Sequence, residues 1–233
     1  MFAGGAGGLI SCPGLKSAST RAFDPWSDAC DEPSEKYRAY CRKGHGLEKS
    51  DDLRALLCER KPRIYRFKDD GVVPNHPLWP LVIYKSAVRL PECLDPAAVF
   101  EELFDSRGWG NAWRDSIYDY VHYHSTIHEV LGIARGSARV RFGGAKGRAL
   151  NVRAGDVAIL AAGTGHQRLK ASKDFLVVGA YAPSGAYDEC TSLDDRVKAL
   201  PAIPRAARPQ KDPVYGKNGP LMLVWPPRNR RRS

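Results

Sequence analysis

The chain has 233 residues, 43% of them hydrophobic and 27% charged, which is enough for a real core and too apolar for wholesale disorder. Its longest apolar runs, such as residues 157–162, fall far short of the ~20 residues of a membrane span, so a helical membrane protein is excluded and no membrane partner is expected. The formal charge is +10, but residues 201–233 alone hold eight basic residues and one acid, and charge gathered in a tail argues against a nucleic-acid-binding domain.

Residues 1–20 are rich in Gly and Ser and lack periodicity, which predicts disorder. No basic stretch precedes an apolar core there, and the six cysteines contain no CxxC pair, so a cytoplasmic location with reduced thiols is expected. Residues 1–23 carry the alternative: with no acid, with Lys16 and Arg21 and with several Ser and Thr, they weakly resemble an organelle-targeting segment. Residues 33–61 read as short helices, one starting at Pro33 and one capped near Ser50 before Leu53, Leu56 and Leu57. A zinc site drawn from Cys30, Cys41, His45 and Cys58 matches no tight ligand spacing. Residues 1–62 thus form an N-terminal extension, partly disordered.

From Arg63 the texture changes to strands. Residues 64–67 lead into the turn Asp69-Asp70-Gly71, and Pro77 and Pro80 introduce Leu81–Tyr84. One helix interrupts, with Asp95 as its cap, Pro96 at its first position and an apolar stripe through Phe104 that stops near Gly108. Ala138–Phe142 alternates strictly, Gly143–Gly147 is a turn, and strands at 150–152, 157–160, 167–171 and 175–181 follow at short spacing. Ser192 and Asp195 form a capping box for a last helix. This pattern predicts an all-β sandwich or closed barrel over residues 63–200. The Pro- and Arg-rich segment 201–233 is expected to be extended. Trp109 and Trp113 are expected to pack where a loop enters the barrel.

Four of the six histidines lie in the strand-rich region. His122 and His124 are two apart, so on a strand their imidazoles point the same way and make a chelating pair. If the strand continues, His128 stays in phase with them; if the chain turns at Ser125-Thr126, Glu129 can swing back. Ser and Thr favour turns, which leans towards Glu129. A buried strand, Val157–Leu160, then ends in Gly163-Thr164-Gly165 and delivers His166 from a neighbouring strand. Tyr118, Tyr120 and Tyr123 crowd the same segment.

The spacing of His122, His124, Glu129 and Gly136, and that of Gly155, Gly163 and His166, resemble the two sequence motifs of the cupin superfamily. Ser116, Ala161 and Lys170 depart from the motifs' Gly, Pro and Asn. The strings Asp69-Asp70-Gly71, Pro74-Asn75, Leu81–Tyr84, His122–Gly132, Gly163–His166 and Asp212–Gly216 are similar to the YjlB-like cupins, a likeness that runs from about Arg63 to Trp225. The resemblance implies a double-stranded β-helix, a jelly-roll barrel with its site inside, and a metal set of His122, His124, Glu129 and His166. Three imidazoles and a carboxylate suit a divalent transition metal such as Fe, Mn, Ni, Zn or Cu, with open positions for Lewis-acid or oxygen chemistry. The expected function is that of a metal-binding cupin, a dioxygenase-type enzyme acting on a small molecule; the rival is a non-catalytic module that binds or senses one. An anionic or enolisable ligand is expected from the residual positive charge of the metal centre and the nearby Arg139, Arg141, Arg168 and Lys170, of which Arg139 and Arg141 alternate with Ala138, Val140 and Phe142 and are expected to face solvent; a homodimer is expected from exposed strand edges. No catalytic residue beyond the metal set is assigned.

Overall fold

The computed structural model describes residues 50–228. The segment 1–23, the helix at Pro33, and Cys30, Cys41 and His45 lie outside the described residues.

Among the described residues nine strands run β1 (Arg63–Tyr65), β2 (Leu81–Tyr84), β3 (Gly110–Asp115), β4 (Glu129–Arg135), β5 (Ser137–Phe142), β6 (Arg148–Arg153), β7 (Val157–Leu160), β8 (His166–Ala171) and β9 (Leu176–Tyr181). They form a six-stranded sheet in the order β1-β2-β7-β4-β9-β3 and a three-stranded sheet β6-β5-β8, with antiparallel pairing throughout. Helices α1 (Ser50–Leu56), α2 (Pro96–Ser106), α3 (Leu193–Ala202) and α4 (Leu221–Val224) flank them. This is the expected all-β jelly roll.

Side-chain alternation explains the layering. Along β4, Leu131 and Ile133 turn inward to join Leu81, Ile83, Val140 and Phe142 between the sheets. Val130 and Ala134 turn outward to Val99, Phe100 and Leu103 of α2. Gly132 sits on that outer row because the Phe100 ring occupies the space a Cβ would need. The large sheet is therefore covered on both faces and β4 is buried almost throughout, whereas β5 alternates buried and solvent-facing residues.

The helix signals hold at atomic level. Asp95 accepts from the Ala97 amide at 3.1 Å with Pro96 at the first position, and Ser192 and Asp195 make the reciprocal capping box. Strand β3 is missing from the sequence reading because Gly-Asn-Ala-Trp-Arg-Asp is largely polar; it is an edge strand that needs only one paired neighbour. Trp113 belongs to this strand, not to a loop.

The expectation of an extended C-terminal segment is overturned. Residues 201–228 fold back onto the outer face of the large sheet, with Val214, Leu221 and Trp225 fully buried. Asp212 anchors the turn: its carboxylate accepts from the amides of Val214 (2.8 Å), Tyr215 (3.1 Å) and Leu221 (3.0 Å) and from the Tyr84 hydroxyl (2.6 Å). Pro and Arg composition concealed these few apolar anchors. Arg228 donates to the Ala206 carbonyl at 2.8 Å and lies over Trp79, so part of the basic tail is structural. Cys58 is disulfide-bonded, which departs from the expectation of reduced thiols and removes a thiolate from the zinc candidate, while Cys93 and Cys190 are free. Among the described residues no helix is long and apolar enough to cross a membrane.

Candidate metal centre

His122 and His166 face each other across a two-residue bridge, with His122 N–H donating to the His166 carbonyl at 3.2 Å and His166 N–H to the His122 carbonyl at 2.9 Å. Their ring centroids are 4.0 Å apart. The chain then leaves strand geometry at Ser125, held by Asp188, whose carboxylate accepts from the Ser125 amide at 2.9 Å and from the Ser125 hydroxyl. Pairing resumes at Glu129, opposite Leu160 and Tyr181. Because of this break, Glu129 points back to the imidazoles: its Oε1 is 3.5 Å from His124 Nε2 and its Oε2 is 3.4 Å from His166 Nε2. The ligand atoms of His122, His124 and His166 lie within 4.8 Å of one another, and this buried group is able to hold a metal ion.

His128 goes the other way. It is fully buried in the outer layer, where Nδ1 accepts from the Ala162 amide at 2.9 Å and the ring packs on Trp79 and Trp225. Tyr123 also leaves the site, joining Val73, Cys190 and Ile203 in a small satellite cluster.

Backbone carbonyls set the tautomers. Nδ1 of His122 faces the Tyr120 carbonyl (3.4 Å), that of His166 faces the Thr164 carbonyl (3.3 Å), and that of His124 meets the Asp188 carbonyl. A carbonyl only accepts, so each Nδ1 is assigned a proton; neutral His122 and His166 then offer an Nε2 lone pair to the common space, and His124 offers one when a cation displaces the second proton that Glu129 favours. Burial and the neighbouring imidazoles pull the His166 pKa well below its ordinary value, and burial, partly opposed by the charge of Glu129, lowers that of His122. At His124 burial acts in the same sense but is outweighed by the charge and hydrogen bonding of Glu129, which push it up to about 9.

The donor set fits a metal. Glu129 Oε2 is buried with no hydrogen-bond partner, a costly state for a carboxylate that a cation relieves. Two ligands about 2.1 Å from one ion at right angles stand about 3 Å apart, close to the carboxylate–imidazole separations here.

A cavity of about 450 Å³ opens from these four residues. Its walls are Trp113, Ile117, Tyr118, Ile127, Leu131, Tyr181 and Tyr187. Tyr118 stacks on Tyr120 and meets His122 edge-on, and Tyr187 packs on Tyr181. Trp113 Nε1 donates to the Tyr181 hydroxyl at 3.0 Å. Burial and the charge of Glu129 raise the Tyr181 pKa far above its ordinary value, so its proton stays in place. Arg139, Arg141, Arg168 and Lys170 do not line the cavity; Arg168 instead donates to the Ile117 carbonyl at 2.8 Å and braces the wall. Arg114 does line it, but its guanidinium is spent on Glu101 and Asp95. The cations that motivated an anionic ligand are therefore absent from the site. Tyr181, Tyr187 and Asp188 carry no signal in the sequence, and Trp113, expected only to pack, lines the cavity. Tyr181 becomes legible only once β9 is paired with β4, and nothing near Asp188 marks it.

No family model matches the chain. Among solved structures, acireductone dioxygenase from Bacillus anthracis, with a cadmium ion in its active centre, is 20% identical, covering 38% of this chain and 62% of that one at a TM-score of 0.30. The formate complex of Lactobacillus farciminis oxalate decarboxylase is 17% identical, covering 59% of this chain and 35% of that one, also at 0.30. Likenesses this distant carry no inference about the reaction. The sequence relationship is stronger: the uncharacterized protein YjlB of Bacillus subtilis (strain 168) is 41% identical over 168 residues, 72% of this chain and 98% of that protein. With that identity across almost the whole of YjlB, and a jelly roll closing around the motif histidines, the chain belongs to the YjlB-like cupins.

Proposed function

We propose that His122, His124, Glu129 and His166 together hold one divalent transition-metal ion, and that the chain is a dioxygenase-type oxidoreductase acting on a small, planar, uncharged or weakly acidic molecule. The observation that carries this reading is a cluster of three imidazoles with ligand atoms within 4.8 Å of one another, two of which bring Nε2 to within 3.5 Å of a buried carboxylate that has an unpartnered oxygen. Bound there, the ion would supply Lewis acidity and open positions for dioxygen or a chelating substrate.

The remaining residues do conventional work. Tyr118, Tyr187 and Trp113 supply flat faces for a ring, and Ile117, Ile127 and Leu131 keep water from the chemistry. Tyr181 keeps its proton beside Glu129 and serves as a hydrogen-bond donor to bound substrate. With no unpaired cation in the walls, a multiply charged anion has no counter-charge beyond the ion itself.

The test is metal quantification on purified protein, as isolated and after anaerobic loading, followed by an oxygen-electrode screen of catechols, diketones and thiols. About one equivalent of metal and oxygen uptake with a planar chelator are expected. Less than about a tenth of an equivalent after loading overturns the metal set. Tight binding of a planar chelator with no turnover, under every metal tried, overturns the enzyme and leaves the binding module.

A further inference from the structure

The basic excess of this chain has a second location besides the tail. Residues 130–173 contain nine Lys and Arg and a single acid, Asp156. That carboxylate is buried and already engaged, by Lys85 and by the amides of Ser86 and Arg153 at 2.8 Å each. The total charge hides this segregation because acids elsewhere in the chain offset it.

We propose that the solvent face of the three-stranded sheet is a binding site, independent of the metal centre, for the phosphodiester backbone of single-stranded nucleic acid. Inward residues of β5 (Ala138, Val140, Phe142) belong to the core, so Arg139 and Arg141 take the outer row. Pairing places Arg139 directly opposite Lys170 of β8 on one side and Asn151 of β6 on the other. Like charges opposed across a strand pair destabilise a sheet. Here nothing neutralises them: Arg139, Arg141 and Lys170 form no ion pair with any described residue. A cleft of about 900 Å³ runs beside them, with Arg139, Arg153, Lys170 and Lys85 in its walls and no carboxylate in its lining.

The arrangement selects among anions. Cations repeat at about 5 Å across strands and about 7 Å along them, a grid suited to successive groups of a linear polyanion more than to one compact ion. The single aromatic ring in the lining, Tyr65, is covered by the Arg148 guanidinium at 5.7 Å, so no free platform stacks bases. Contact is then with phosphates and indifferent to sequence. A protein partner is disfavoured, because the outward row of Ser137, Arg139, Arg141, Asn151, Arg153 and Lys170 is polar, and Leu169 is a single exposed large apolar side chain on these three strands, short of the apolar cluster an interface centre needs.

Fluorescence anisotropy of a labelled oligo-dT or oligo-U of about 20 nucleotides, titrated with the full chain across a salt series, tests this directly. Binding should weaken steeply with salt. Arg139→Glu with Lys170→Glu should reduce affinity at least tenfold, and Arg139→Gln with Lys170→Gln should lower the log–log salt slope by about 1.4, two contacts at ~0.7 each. Metal content should stay unchanged and the thermal midpoint should not fall, rising slightly in the Gln variant as the cross-strand repulsion is relieved, which separates a lost site from a lost fold. A tail variant, Arg230→Ser with Arg231→Ser and Arg232→Ser, should keep most of the affinity. No binding at about 50 mM salt, full binding by the sheet variants, binding abolished by the tail variant, or equal binding of polyglutamate would each overturn the proposal.

Discussion

Two groups of histidines, one inside the barrel and one in the layer outside the large sheet, meet opposite fates. In the barrel, His122, His124 and His166 each present Nδ1 to a backbone carbonyl and Nε2 to a shared space. In the outer layer, His76 and His128 use Nδ1 as an acceptor: His76 takes the amides of Leu78 (3.1 Å) and Trp79 (2.9 Å), and His128 that of Ala162. Their Nε2 atoms therefore carry the protons and offer no lone pair to a metal. They are packing residues instead, His76 stacked on Trp79 at 4.7 Å and His128 set against Trp225. Whether a backbone carbonyl or a backbone amide meets Nδ1 decides which histidine can be a ligand, and residue type alone does not.

The contrast is breakable by mutation. The largest effect belongs to the barrel: His124→Ala or His166→Ala should drop metal content from about one equivalent to below a tenth, with affinity falling more than a thousandfold, measured by elemental analysis after dialysis. His128→Ala should leave metal content unchanged and cost about 3 kcal/mol in stability, a fall of roughly 6–12 °C in melting temperature. Metal loss in that variant would erase the distinction.

Acid should separate the groups further. Burial depresses His76 to about 4 and His128 to about 3, with Arg228 adding to it at His76 and with His76 and Arg228 adding to it at His128. The unfolded chain protonates both near 6.5, so it binds more protons than the folded chain and stability falls as pH drops below that value. Between pH 7 and 5.5 the pair should contribute a loss of about 2 kcal/mol in urea titrations, and His76→Leu should remove about half of that pH dependence. The smallest effect is positional: Asp188→Ala, which frees the 125–126 turn, should weaken metal binding about tenfold, with Asp188→Asn recovering part of it. An unchanged affinity in Asp188→Ala would remove its role in steering Glu129.

Much of this was legible before folding. Strict alternation at Ala138–Phe142 and the capping signals at Asp95 and Ser192 act within a few residues, and they gave the right elements. The turn chemistry of Ser125-Thr126 leans towards Glu129 over His128, and the strand geometry is interrupted at residues 125–127. What stayed hidden depends on distant chain. Tyr181 reaches the site through its pairing with Glu129, and the C-terminal segment is ordered by Asp212 against Tyr84. A window of ten residues contains none of that information.

The partner of His124 Nδ1 lies 64 residues downstream, at Asp188. During synthesis, both members of the H-x-H pair leave the ribosome well before the loop that aims one of them. A nascent chain of 170 residues would already own every proposed ligand and still lack the carbonyl that orients His124. Capture of the proposed ion in that geometry thus has to wait until the chain has grown past residue 188 and the loop has closed on His124.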